Sequence, residues 1–133
     1  MKSIFRFLAA SAGLNLAWEI GYLPFYTLWS NGKWEEIGYA VAHFTAGEIL
    51  IALACAIAIL AFSGWRWLLP GRQSAIFLGI FIAFGVAYTV FSEWLNTAVR
   101  KSWVYSALMP VLPLIGTGVA PLLQWIVVPA LAF

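Results

Sequence analysis

The chain has 133 residues, of which 64% are hydrophobic and only 9% charged. A soluble domain carries about 25% charged residues, so this chain lacks the means to coat a water-facing surface, and an integral membrane protein is expected. The net charge of +2 is scattered, with no Lys/Arg run, which excludes a nucleic-acid arm. A single cysteine, Cys55, excludes an internal disulfide, a CxxC redox pair and a zinc ribbon.

Residues 1–133 are expected to form one all-α domain, a polytopic bundle of transmembrane helices with four spans at about 4–29, 37–62, 74–99 and 106–131. Ala10-Ser-Ala12 imitates a signal cleavage site, but Arg6 interrupts the short apolar stretch before it, so the first span is read as uncleaved. Span 1 contains Pro24 near its far end, and Ser30-Asn-Gly-Lys-Trp-Glu-Glu36 forms a polar turn. Span 2 leads to a second connection, Ser63 to Gln73, broken by Gly and Pro. After span 3, Arg100-Lys101 marks an interface, and Pro110, Pro113, Pro121 and Pro129 punctuate the apolar tail. Proline removes a backbone donor and kinks a helix, so the fourth span is expected to be broken or partly re-entrant.

Lys2, Arg6, Arg66 and Arg72 on one side outnumber Lys33, Arg100 and Lys101 on the other, where Glu35 and Glu36 offset them. That majority favours a cytoplasmic amino terminus, in the inner membrane of a bacterium. Trp29, Trp34 and Trp103 fall at one interface and Trp65 and Trp67 at the other, as expected of aromatic belts.

Polar residues inside the spans carry the functional signal. In span 3, Thr89, Ser92, Glu93, Asn96 and Arg100 recur at i, i+3, i+4, i+7 and i+11, one face of a helix. Asn15, Trp18, Glu19, Tyr22 and Tyr26 repeat that register in span 1. In span 2, Tyr39, His43 and Gly47 share a face. Glu48 lies about 140° further round from His43 and joins that face only through a π-bulge or local unwinding.

At about 1.5 Å of rise per residue, Glu19 lies roughly 22 Å along span 1 and Glu93 roughly 28 Å along span 3. Span 2 runs the other way, placing His43 and Glu48 roughly 9 and 16 Å below the first loop. All therefore fall in the half of the membrane nearer that loop, and one shared cluster is geometrically open to them. An acidic residue at a helix centre costs about 2.5–3.5 kcal/mol. Three of them require protonation, a cationic partner or a metal.

Glu19, His43, Glu48 and Glu93 are the candidate acid–base groups, and Asn15, Trp18, Tyr22, Trp94 and Asn96 the candidate substrate-binding residues. Glu93 or Glu48 would give a proton, Glu19 or His43 would take one, and Trp18 and Trp94 would face a carbocation. No cofactor is expected, although three Glu and one His leave a divalent metal open. A membrane lipid or isoprenoid is the expected partner, and self-association into a homo-oligomer fits four short spans. Two other classes compete with the enzyme. One is an accessory protein whose polar residues only glue helices together, and the other is a proton- or cation-handling transporter.

The blocks Asn15-Leu-Ala-Trp-Glu19, Phe91-Ser-Glu-Trp-Leu-Asn96 and Pro121-Leu-Leu-Gln-Trp125 resemble those of small polytopic bacterial inner-membrane proteins. That resemblance implies a membrane fold and carries no activity over. One His with several Glu, Asn and Trp is similar in chemistry to membrane sterol isomerases and small carotenoid cyclases, as analogy alone.

Overall fold

A computed structural model describes residues 2–64 and 71–133. Within them the chain is all-helical, in the order α1 (Lys2–Tyr22), α2 (Leu28–Asn31, a single turn), α3 (Trp34–Ser63), α4 (Arg72–Glu93) and α5 (Val119–Ala132). A 3-10 turn, Leu23–Phe25, separates α1 from α2, and a π-helical turn, Trp94–Val99, extends α4. Two helices, Trp34–Phe62 and Arg72–Val99, are long and apolar enough to cross a membrane. Trp65, Arg66 and Trp67, assigned from sequence to the second interface, lie outside the described residues.

Local chemistry sets where each helix stops. Pro24 falls at the start of the 3-10 turn, where its missing N–H costs nothing, and α1 ends at Tyr22 rather than continuing to Trp29. Helix α3 begins where the Lys33 amide donates to the Glu36 carboxylate at 2.8 Å. Glu35 and Glu36 lie in its first turn, the favourable end of the helix dipole. It closes on Gly64, whose positive φ of 62° is open to glycine without the steric cost a Cβ would bring.

At the end of α4 the backbone widens. The Arg100 amide bonds to the Leu95 carbonyl at 2.7 Å, five residues back, which defines the π turn. The Asn96 side chain donates to the Ser92 carbonyl at 2.9 Å, and the Thr97 hydroxyl to the Glu93 carbonyl at 2.6 Å. Both side chains bond back to carbonyls four residues earlier, at the point where the ladder widens. Sequence spacing had offered a π-bulge in span 2 to join His43 with Glu48. Helix α3 is instead α-helical throughout, and the irregularity lies next to Glu93.

The expectation of helix from about residue 106 is corrected. Residues 101–118 are irregular, and α5 starts only at Val119, with Pro121 in its first turn, where amides have no intrahelical partner. The irregular segment is fastened to the 3-10 turn that follows α1 and to Thr27 just after it. Thr27 N–H bonds to Val104 O at 3.0 Å, Ser106 N–H to Phe25 O at 2.8 Å, and the Ser106 hydroxyl to Pro24 O at 2.9 Å.

Helix α1 packs on α3 and α5, and α4 on α5 and α3, closing a ring of four helices. One end of the bundle is filled by Phe7, Ala52, Ile59, Phe81 and Trp125, with Phe7 and Phe81 edge to face at 5.4 Å. The other end gathers Tyr22, Tyr26, Met109 and Ala120. Apolar packing therefore seals one end, while tyrosines and the irregular segment build the other.

Candidate functional site

The tyrosine end holds two joined cavities. The smaller, about 230 Å³, is bordered by Glu19 of α1, His43 and Glu48 of α3, and Glu93 and Asn96 of the α4 extension. The larger, about 720 Å³, extends toward the first loop along Leu28, Glu36, Tyr39 and Val104. Glu19, Tyr22, Tyr26, His43, Phe44 and Trp103 border both.

Each carboxyl has its own surroundings. Glu19 is 2% exposed and accepts a hydrogen bond from Gln124 Nε2 at 3.1 Å. The same amide donates to Asn15 Oδ1 at 3.0 Å, so one residue of α5 ties together two of α1. Glu93, 6% exposed, accepts from the Tyr26 hydroxyl at 3.3 Å and from the Tyr105 hydroxyl in a shorter bond. Tyr105 in turn accepts the Gly118 amide at 3.0 Å. Glu48 is the least satisfied. Its Oε2 is buried without a partner, and so is Nε1 of Trp125, whose indole is turned toward it.

Tyr105 lies in the irregular segment. Burial, and then the Glu93 carboxyl beside it, push its phenol well above the ordinary tyrosine range. It therefore keeps its proton and remains a donor to Glu93 through alkaline pH. Substituting Tyr105→Phe removes that donor and strips Gly118 N–H of its acceptor. A loss of about 1–3 kcal/mol is expected, read as a lowered thermal midpoint, with a smaller loss for Tyr26→Phe, whose bond is longer.

The four candidate acid–base residues thus border one cavity, together with Tyr22 and Asn96. His43 is exposed and stacks on Tyr39 at 5.6 Å, so it stands at the rim. It shares the cavity with Glu48 without sharing its helix face. Asn15 lies behind the wall, reaching Glu19 through Gln124. Trp18 donates from Nε1 to Ala120 O at 3.2 Å, clamping α1 to the start of α5. Trp94 is 50% exposed, packs on Phe91 and borders neither cavity. Arg100 borders the smaller cavity from an exposed position, while Glu93 bonds to phenols.

Sequence reasoning passed over Gln124 and Tyr105 as site residues, and treated Trp103 as a belt residue. Gln124 had a signal, as the one amide in an otherwise apolar α5. Tyr105 had none, because only the fold of the irregular segment turns it onto Glu93. Among the described residues no group of three or more His, Cys, Asp or Glu is placed to hold a metal ion. No protein-family model, curated protein or solved structure matches the chain, so its chemistry rests on this geometry.

Proposed function

We propose that the protein is a four-span inner-membrane enzyme that moves protons on a lipid or isoprenoid, as an isomerase or cyclase does. One observation carries this reading: Glu19, Glu48 and Glu93, from three different helices, border a single cavity. The reaction gives a proton to one carbon of an alkene and removes another from a neighbouring carbon, with no redox partner. It needs an acid, a base and a dry apolar pocket. Glu48, whose Oε2 is uncommitted, gives the proton. Glu93, oriented by Tyr26 and Tyr105, or Glu19, oriented by Gln124, receives one. The ring faces of Tyr22, Tyr26, Phe44 and Trp103 stabilise the cation between these steps, with Trp103 in the place that the sequence assigned to Trp94.

With a cytoplasmic amino terminus, the larger cavity opens on the opposite side. Residues 101–118 then form a re-entrant cap and α5 a half-span; irregular backbone at membrane depth is tolerated where protein surrounds it. The apolar packing around Phe7, Ile59 and Phe81 closes the cytoplasmic end. A dead-ended cavity suits an enzyme better than a transporter, which needs polar groups leading to both faces.

The test is isotopic. Membranes containing the protein are incubated in heavy water with isoprenoid lipids, and products are separated by retention time and mass. An isomer carrying one deuterium on carbon is expected. Its formation should fall about 100-fold or more in Glu48→Gln and Glu93→Gln, the size of a general acid–base contribution. If no lipid exchanges or isomerises faster than in membranes lacking the protein, the reading fails.

A further inference from the structure

The hydrogen-bonding balance of the cavity points beyond a proton-transfer site. Donors around the carboxyls are neutral and already aimed at them: Gln124 at Glu19, and Tyr26 and Tyr105 at Glu93. Asn96 spends its amide on Ser92. The cations stand at the rims, Arg100 on the smaller cavity and Lys101 on the larger, both from exposed positions. Glu48 Oε2 remains buried with no partner, as does the donor Trp103 Nε1 that borders the same cavity. Trp125, 3% exposed, is turned to that same carboxyl from behind the cavity, but its Nε1 completes no hydrogen bond there. A buried carboxylate without a cation is costly unless something charged or donor-rich joins it.

The junction adds a second requirement. Four aromatic side chains, Tyr22, Tyr26, Phe44 and Trp103, border both cavities, and aromatic faces attract cations. Beyond them, the about 720 Å³ cavity passes Leu23, Leu28 and Ala40. It lies within the range of about 300–1,000 Å³ that holds small organic ligands. Its middle is apolar at Leu23, Leu28 and Ala40, and its outer end, toward the first loop, is bordered by Asn31, Glu35, Glu36 and Lys101.

We propose that the joined cavities bind a lipophilic amine, with its ammonium among Glu19, Glu48 and Glu93 and its alkyl chain in the wide cavity. The ammonium supplies the N–H donor that Glu48 Oε2 lacks, and the ring faces cover its methyl groups. This goes beyond the acid–base reading, because binding of a stable cation requires no turnover.

The experiment uses the full chain in a neutral maltoside detergent, with Trp fluorescence and thermal unfolding as readouts. The probes are N,N-dimethyldodecylamine, protonated at neutral pH, and dodecan-1-ol, its uncharged match in chain length. The amine is expected to bind saturably, about tenfold or more tighter than the alcohol, the worth of a charge-assisted hydrogen bond. Glu48→Gln should erase that preference, with the amine losing far more affinity than the alcohol. The variant removes no hydrogen bond at Oε2, so it should fold. Equal affinity of the two probes for the unmodified protein overturns the proposal, whatever the variant does. So does an amine preference that survives Glu48→Gln. Amine binding without isotope exchange would keep this site and remove the enzyme; exchange without amine preference would do the reverse.

Discussion

Gln124→Leu is expected to destabilise the protein by about 2–4 kcal/mol and to unseat Glu19. Gln124 is 1% exposed and is the donor to both Asn15 Oδ1 and Glu19 Oε1. The lost bonds matter less than what they leave behind. An intramolecular hydrogen bond contributes about 0.5–1.5 kcal/mol net, whereas each buried acceptor left without a donor costs about 1–3 kcal/mol, and more when charged. Two acceptors are orphaned, and the variant recovers part of the cost by removing Gln124 Oε1, itself unpartnered. Thermal unfolding in detergent measures the difference. Adding Glu19→Leu to Gln124→Leu should restore part of the stability, because replacing both members of a buried pair is cheaper than replacing one. An unchanged midpoint for Gln124→Leu would remove the amide from the account of Glu19.

Gly85→Ala is expected to cost about 1–3 kcal/mol, the usual result of overpacking. A Cβ at Gly85 would run into the ring of Trp125, which is 3% exposed and packed on Phe81 at 5.7 Å. A ring held in this way has no solvent to swing into. Gly79→Ala is the control: nothing lies within 4 Å of the added atom. It should be neutral or gain up to about 1 kcal/mol from helix propensity. Because the Trp125 indole is turned toward Glu48, Gly85→Ala should also disturb the cavity, and amine binding should weaken along with stability. Combining Gly85→Ala with Trp125→Phe gives the methyl room and should recover part of what the two changes cost separately. Equal midpoints for Gly85→Ala and Gly79→Ala would contradict this packing.

The residues that meet at the cavity were legible where helical periodicity carries information. Asn15, Glu19 and Tyr22 share a stripe, as do Thr89, Glu93 and Asn96, and rise per residue placed both stripes at the depth of Glu48. Periodicity assumes a regular helix, and its failures cluster where regularity ends. Trp94 adjoins Glu93 in sequence, so it was expected to share its role. It opens the π turn and borders neither cavity. Tyr105 belongs to no helix, so no spacing rule could direct its hydroxyl to Glu93. His43 and Glu48 border one cavity although they lie about 140° apart round α3.

By itself, the sequence determined the helical class and the acidic residues inside apolar segments; of the four spans it suggested, two are helices long and apolar enough to cross a membrane among the described residues. Composition and periodicity are properties of single segments, and single segments suffice for these statements. The tertiary structure alone decided that α5 lies between α1 and α4, that Gln124 holds Glu19, and that Tyr105 and Trp103 arrive from an irregular segment. Those facts depend on which faces meet and on where the chain departs from the helix. They are relations between segments distant in sequence, and no local pattern encodes them.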